Sequence, residues 1–278
     1  MYAWRETPAA GFAPLLVFAL TLALPAPAVP AETVKMGGSG TNLGTMRRLV
    51  EAFGKTRPGV QFTIFPSLGT TGGLRALTDG AIDLALLSRP LKERERAGGI
   101  TGVEYGRSPF VIVTAKADAP QGFTLQRLAE IYSGKVTAWP DGSPLRLVLR
   151  PKGDSDTEAL EGMSPAMRQA IQKAVQRKGL VIGTSDQENA DAIQKIPGAM
   201  GSSTLAIILS EKRPLKPLSL DGAAPTPENV ANGSYPFFKR LFLAFGPKKP
   251  SPAVQQFIDF VRSPQGRGIL RETGHWAN

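Results

Sequence analysis

The sequence carries hydroxyl-bearing side chains at points where a predicted strand gives way to a helix. Ser39 and Thr41 lie in a glycine-rich stretch, 36–43, between an apolar run and the start of an amphipathic helix, for which Thr41 or Asn42 is a suitable N-cap. Glycines let the backbone approach a ligand closely. Because a helix start has unpaired N–H donors and about half an elementary positive charge, this stretch suits an anion. An ordinary tight turn between strand and helix explains the same glycines equally well.

The same arrangement recurs further along the chain. A second predicted strand, 61–66, leads into a loop with Thr70 and Thr71, and a third predicted strand ends at Ser88 and Arg89. Ligands of open α/β sheets bind outside the carboxyl ends of the strands, so we expect these side chains to meet at one edge of the sheet. In the alternative interpretation, the two threonines only cap a helix, and Arg89 braces its own loop through an ion pair.

A further strand, 145–149, delivers Arg150 and a polar loop, 151–157. A guanidinium presents a fixed fork of donors that matches two oxygens of an oxyanion. Arg150 is therefore the strongest candidate for a ligand contact, although such an arginine can also be structural.

Predicted strands and helices alternate along the chain, which favours an α/β fold. The length of 278 residues leaves room for about two domains. We predict a discontinuous first lobe, 32–113 plus 221–278, and a second lobe, 114–220, with the chain crossing back at 215–220.

Composition excludes several classes of function. The chain has no cysteine and a single histidine, so disulfides, thiolate metal sites, cysteine nucleophiles and multi-histidine metal sites are not available. The net charge of +10 is carried by dispersed basic residues without a dense run, which argues against a nucleic-acid partner.

Residues 1–31 resemble a signal peptide. One basic residue, Arg5, precedes an apolar core, 12–24, and small residues follow, with cleavage expected after Ala31 or near Ala28. The core is too short to span a membrane comfortably. We therefore expect a protein that is exported to the periplasm and is not inserted in the membrane. A monomeric state is a separate expectation.

Several motifs taken together resemble the phosphate-binding family of periplasmic solute-binding proteins. The segment 131–139, Ile-Tyr-Ser-Gly-Lys-Val-Thr-Ala-Trp, is similar to that family's Ile-Phe-Ser-Gly-Lys-Ile-x-x-Trp signature. The other matching segments are 38–41, 69–73, 83–91, 198–201 and 260–270.

The resemblance implies a two-lobe α/β fold of the type II periplasmic binding protein class, with two crossing strands between the lobes. It also implies an oxyanion ligand, most simply phosphate, held in the cleft and handed to the permease of an ABC importer without a cofactor. The ligand-binding residues that we predict on this basis are Ser39, Gly40, Thr41, Thr70, Thr71, Ser88, Arg89, Arg150, Ser155, Asp156 and Thr157.

The loop after Arg150 departs from the family pattern, which is Arg-x-x-x-Ser-Gly-Thr. One inserted residue aligns Ser155 and Thr157 with that pattern but leaves Asp156 in the place of glycine. A carboxylate beside a buried phosphate dianion is costly. Asp154 or Asp156 would then accept the proton of monohydrogen phosphate, or both would turn away to cap the next helix, or the ligand is a different one.

Two other classes of function stay open. The first is a binding module that senses a ligand without transporting it. The second is an exported hydrolase with Ser39 or Ser155 as nucleophile, which would have to work without a histidine base.

Overall fold

The computed structural model describes residues 1–4 and 32–277. The predicted signal peptide and its cleavage site lie outside the described residues, apart from 1–4. All helices and strands described below belong to one compact unit, Ala31–Asn278. No helix in the described ranges is long and apolar enough to cross a membrane.

The elements alternate between strand and helix, as predicted. The strands are β1 (Glu32–Gly38), β2 (Val60–Ile64), β3 (Leu84–Leu87), β4 (Thr101–Thr114), β5 (Gly122–Phe123), β6 (Arg146–Leu149), β7 (Val181–Ile182), β8 (Ala199–Thr204), β9 (Lys216–Leu220) and β10 (Phe238–Phe245). The helices are α1 (Leu43–Thr56), α2 (Gly69–Thr78), α3 (Glu93–Ala97), α4 (Leu125–Ser133), α5 (Ser155–Gly162), α6 (Pro165–Ala174), α7 (Asp186–Lys195), α8 (Leu205–Ser210), α9 (Pro227–Ala231), α10 (Pro252–Val261) and α11 (Pro264–Glu272). A short 3₁₀ turn, Gly40–Asn42, precedes α1.

The strands form one mixed sheet in the order β2-β1-β3-β10-β4-β8-β6-β7. β1 is parallel to β2 and β3, whereas β10 runs antiparallel to β3 and β4. The long strand β4 pairs with β10 through 101–109 and with β8 through 110–114. We call the elements up to α3, together with β10, α10 and α11, the first half, and β5 to α9 the second half. β4 therefore belongs to both halves and ties them together.

Each half has its own apolar core. α1 buries Leu43, Met46, Leu49 and Phe53 at helical spacing, against the buried strands of the first half. In the second half, α4 and α6 pack on the other end of the sheet around the buried ring of Tyr132.

The segment expected to return to the first half, 215–220, pairs and packs with the second half. β9 pairs with the end of β4 and with β5, and its Leu218 belongs to the core of the second half. Val230 and Tyr235 pack in the same core. The lobe boundaries stay a prediction, but this packing favours a return at the start of β10.

Glycine is required where α2 meets β1. A Cβ at Gly73 would lie 2.7 Å from the Cα atom of Gly38, so the helix packs directly on the strand backbone. We expect Gly73→Ala to lower the free energy of unfolding by about 1–3 kcal/mol through overpacking, as measured by urea denaturation.

The matched control is Gly54→Ala in α1, where nothing lies within 4 Å of the added Cβ. That change should raise the free energy of unfolding by about 0.5–1 kcal/mol through helix propensity. Equal effects of the two substitutions would contradict a close approach at Gly73.

Candidate anion-binding site

A cavity of ≈ 320 Å³ lies between the loops of the two halves, and we call it the cleft cavity. The first half contributes the start of α2 together with Arg89 and Lys92, and the second half contributes 151–155 and Thr184. Four of the predicted ligand-binding residues line it, namely Thr70, Thr71, Arg89 and Ser155.

The two helices that begin beside the glycine-rich loops lack a side-chain cap. No side chain accepts a hydrogen bond from the first turn of α1 or α2. Every other described helix of eight residues or more is capped by a Ser, Thr or Asp side chain, those of Thr124, Asp154, Ser164, Ser185, Ser251 and Ser263. First-turn N–H groups without a cap are suited to an anion, and the start of α2 lines the cleft cavity.

The predicted cap of α1 by Thr41 or Asn42 is therefore wrong. The amide of Asn42 donates to the Ser39 carbonyl (3.3 Å), and its oxygen accepts from the Tyr105 hydroxyl. The alternative in which Thr70 only caps α2 is not observed either, since its Oγ1 accepts from the Ser88 backbone N–H at 3.1 Å.

A chain of hydroxyl groups crosses from one half to the other. Thr70 Oγ1 lies 3.1 Å from Ser88 Oγ, which lies 3.1 Å from Ser155 Oγ at the start of α5. The Lys239 ammonium donates to Ser155 Oγ at 3.0 Å. Three predicted residues from separate loops thus form one polar wall beside the cleft cavity.

Arg150 is buried behind this wall. Its Nε and Nη2 atoms donate to the Asp154 carboxylate (3.3 and 2.9 Å), and Nη1 donates to the Gly183 carbonyl (2.6 Å). A guanidinium has five N–H donors, so these bonds account for three of them. Arg150 is not among the residues that line the cleft cavity. Burial alone would lower the pKa of Arg150, but the carboxylates of Asp186, Asp156 and Asp154 raise it.

Asp154 and Asp156 have different partners. Asp154 caps α5 by accepting the Asp156 backbone N–H at 2.9 Å, so the alternative in which both carboxylates cap this helix holds for Asp154 only. Asp156 turns inward and forms a buried ion pair with Lys239, while Ser202 Oγ donates to it at 3.2 Å. Burial raises the pKa of Asp156, but Lys239 and Arg150 outweigh it and lower the pKa overall.

Lys239 was not among the predicted site residues. Its signal in the sequence is a lysine at the start of the predicted strand 239–245, among aromatic and aliphatic residues, where a buried charge is expensive unless it is paired. Its partner is 83 positions away, so sequence spacing does not reveal the pair.

The loop 39–41 does not line the cleft cavity. Ser39 donates its backbone N–H to the Leu86 carbonyl at 2.8 Å. Thr41 Oγ1 donates to the buried carboxylate of Asp186 at 3.4 Å, and Gln187 Nε2 donates to the Gly40 carbonyl at 3.1 Å. The start of α7 in the second half thus covers this loop.

Asp186 is the second residue that sequence reasoning missed. Burial raises its pKa to about 6, and the charge of Asp156 adds to this, against Lys239 and Arg150. A Cβ at Gly40 would lie 2.7 Å from Asp186 Oδ2, so the glycine makes room for the carboxylate.

Two predicted residues are occupied by structural contacts. The Arg89 guanidinium donates to both oxygens of Glu95 at 2.8 Å, which is the ion pair of the alternative interpretation. Thr157 Oγ1 donates to the carbonyls of Arg150 (3.2 Å) and Pro151 (2.9 Å), so it holds the turn before α5. Their contact with a ligand stays a prediction. No cluster of described His, Asp or Glu residues could hold a metal ion.

The stability of the fold should depend on the buried pair of Lys239 and Asp156. Lys239→Met leaves Asp156 charged and without its main partner, so we expect the free energy of unfolding to fall by about 3–5 kcal/mol in urea denaturation. The double variant Lys239→Met, Asp156→Asn removes both charges and should recover most of the loss. A double variant as unstable as the single one would contradict the electrostatic cause.

The buried carboxyl group of Asp186 should make the free energy of unfolding depend on pH. Its pKa rises from 3.8 in the unfolded chain to about 6 in the fold. The folded protein therefore binds this proton more tightly, and the resulting stabilisation is complete below about pH 4 and is lost as the pH rises through about 6. Asp186→Asn keeps an acceptor for Thr41, so its stability relative to wild type should improve by about 1–3 kcal/mol across this window.

The measurement is the free energy of unfolding in urea for both proteins at each pH. Comparing the two proteins is necessary because His275 changes the stability of both with pH in the direction opposite to Asp186. Burial lowers the pKa of His275 from 6.5 to about 4, so its contribution to stability grows with pH over much of the same window. Asp259→Asn, at an exposed position in α10, is the matched control for the loss of one carboxylate. A pH-independent difference for Asp186→Asn would contradict the raised pKa.

The comparisons with known proteins agree with this architecture. A family model described as PBP superfamily domain matches residues 25–265. The phosphate-binding protein PstS of Borreliella burgdorferi is 23% identical over 253 residues, which cover 87% of this chain and 89% of that protein. Protein SphX of Synechococcus elongatus is 27% identical over 264 residues, covering 87% of this chain and 76% of that protein.

Solved structures show the same fold. One from Clostridium perfringens, described as a phosphate ABC transporter substrate-binding protein with bound phosphate, has a TM-score of 0.74 at 24% identity and covers 89% of this chain and 100% of that one. The predicted two-lobe α/β fold and the predicted resemblance to phosphate-binding proteins are confirmed. The family match spans most of the sequence, and the chain therefore belongs to the PBP superfamily.

Proposed function

We propose that this protein is an exported solute-binding protein that captures an oxyanion, phosphate in the first place, and delivers it to the permease of an ABC importer. The observation that carries the proposal is the uncapped start of α2, which lines the cleft cavity opposite Ser155 of the second half. One relative is named a phosphate-binding protein, and a solved structure with the same fold is described as having bound phosphate, which supports the choice of ligand.

The ligand would complete the hydrogen bonds of this wall. N–H groups of α2, the hydroxyls of Thr70 and Ser155, and the two remaining donors of Arg150 supply donors of the kind that a tetrahedral oxyanion accepts. Because these groups come from both halves, a ligand that contacts them all favours the closed arrangement by population shift.

The buried charges of the site favour an anion that brings a proton. Three carboxylates, those of Asp154, Asp156 and Asp186, lie near two cations, Arg150 and Lys239. A fully ionised dianion such as sulfate would lie near these carboxylates without a proton to share with them. Hydrogen phosphate can instead donate a proton to a carboxylate, and we propose this as the basis of discrimination against sulfate.

The proposal is binding without chemistry. Ser155 is hydrogen-bonded to Lys239, but that ammonium is held by Asp156 and has no lone pair with which to take a proton. A serine needs an adjacent base to become a nucleophile.

Periplasmic location, export through 1–31, a monomeric state and the lobe boundaries are further parts of the same proposal. A ligand sensor is the alternative, and an uptake assay in cells that lack the protein separates it from an importer component.

The experiment is a thermal-shift screen of the purified protein, followed by calorimetry, with phosphate, sulfate, molybdate, phosphonates and small organic acids. We expect phosphate to bind more tightly than sulfate. Arg150→Ala should weaken phosphate binding by about 2 kcal/mol or more, the scale of a lost buried charge-assisted contact.

Two controls keep this test specific. Arg168→Ala removes an exposed arginine of α6 and should leave the affinity unchanged. Arg150→Lys keeps the charge but loses the fork, so its affinity should lie between those of wild type and Arg150→Ala. Unchanged affinity in a folded Arg150→Ala protein removes this residue from the site, and stabilisation by organic acids alone rules out an oxyanion ligand.

A further inference from the structure

A second polar cavity lies in the first half, and we call it the arginine cavity. Its volume is ≈ 450 Å³, and it is lined by 104–107 of β4 together with Arg262, Arg267 and Trp276. It shares no lining residue with the cleft cavity. The phosphate proposal does not involve these side chains.

Arg107 is held in place by its neighbours. Its guanidinium carbon lies 5.2 Å from the ring centre of Phe238 and 4.7 Å from that of Trp276, and its Nε donates to Glu104 at 2.8 Å. Paired backbone bonds between Arg107 and Trp276 (2.9 and 2.7 Å) fix the two residues against each other. A stacked guanidinium keeps its fork in one orientation, so little conformational entropy is lost when it binds an oxyanion.

The outer donors of Arg107 have no acceptor in the described part of the chain. Only Nε makes a hydrogen bond there, and its partner Glu104 also accepts from Arg240 Nε at 3.0 Å. One carboxylate thus serves two arginines. Burial raises the pKa of Glu104, but hydrogen bonds and charge from Arg240 and Arg107 outweigh it, so that the pKa is lowered and the group is fully ionised at neutral pH.

Arg262 adds a positive charge on the same cavity. It is exposed, and the described residues offer it no ion-pair partner. Arg107, Arg240 and Arg262 together therefore carry three positive charges against the single charge of Glu104. In the cleft, by contrast, the buried cations Arg150 and Lys239 are matched by the buried carboxylates of Asp156 and Asp186. The arginine cavity is therefore the more attractive of the two for a highly charged anion.

We propose that the arginine cavity binds a small anion with two or more phosphoryl groups, independently of the ligand in the cleft. Two guanidinium forks, those of Arg107 and Arg262, match two phosphoryl groups, and each fork can bind bidentately. The cavity is larger than the cleft cavity, as a larger anion requires. Its concave shape favours a compact anion over a nucleic acid, which needs an extended basic surface.

The test is calorimetry with inorganic pyrophosphate at fixed, moderate salt. We expect Arg262→Gln to weaken pyrophosphate binding about tenfold or more, the scale of one lost charge-assisted hydrogen bond. Arg107→Lys retains the charge but loses the fork and should weaken binding by a similar factor. Arg168→Gln changes the net charge equally at a distant exposed position and should have little effect.

The cleft variant Arg150→Ala separates this proposal from the proposed function. It should leave pyrophosphate binding unchanged, while the two arginine-cavity variants should leave phosphate binding in the cleft unchanged. No pyrophosphate binding, or binding that Arg150→Ala removes, overturns the second site and leaves the cleft proposal intact. Equal losses in Arg168→Gln and Arg262→Gln would show attraction to net charge only, which also overturns it.

Discussion

A buried ion pair between Lys239 of β10 and Asp156 of α5 lies where the two halves of the molecule meet. Each charge would be expensive to bury alone, so each requires the other in place. The pair fixes the start of α5, because Asp156 is in its first turn and the neighbouring Ser155 accepts a hydrogen bond from the same ammonium. The position of the predicted binding loop thus depends on a strand that enters the site from the far end of the chain.

This constraint also decides which groups are left for a ligand. Asp154 accepts hydrogen bonds from Nε and Nη2 of Arg150 and also caps α5. The guanidinium is therefore oriented before any ligand arrives. Ser88 and Thr70 are aligned by hydrogen bonds to each other and to Ser155. Polar groups held in this way lose little entropy on binding, which is what preorganisation means in physical terms.

The two cavities differ in how their charges are balanced. Around the cleft, the buried arginine and lysine are matched by aspartates, so the selectivity that we propose there depends on protons and hydrogen-bond geometry. Around the arginine cavity, one glutamate faces several guanidinium groups, so attraction depends on charge and falls steeply with salt. A single chain of net charge +10 therefore has two cavities with different charge balance, and our two proposals rest on that difference.

The sequence by itself determined the local features of this protein. Strand and helix alternation, the apolar face of α1, the glycine-rich starts of α1 and α2, and the motifs of the family are all written in short stretches, because they depend on neighbouring residues. Local sequence was also enough to select Arg150, Thr70, Ser88 and Ser155 as candidate binding residues, because each follows or begins a predicted element.

Only the tertiary structure decided which of these side chains have partners elsewhere. Lys239 and Asp186 join the site from 83 and 145 positions away from their partners, distances at which no local pattern operates. Glu95 takes the fork of Arg89, and the turn before α5 takes the hydroxyl of Thr157, although both residues have the right chemistry for a ligand. Residue types and spacing establish which groups are capable of binding an anion, whereas long-range packing and charge pairing determine which of them remain available.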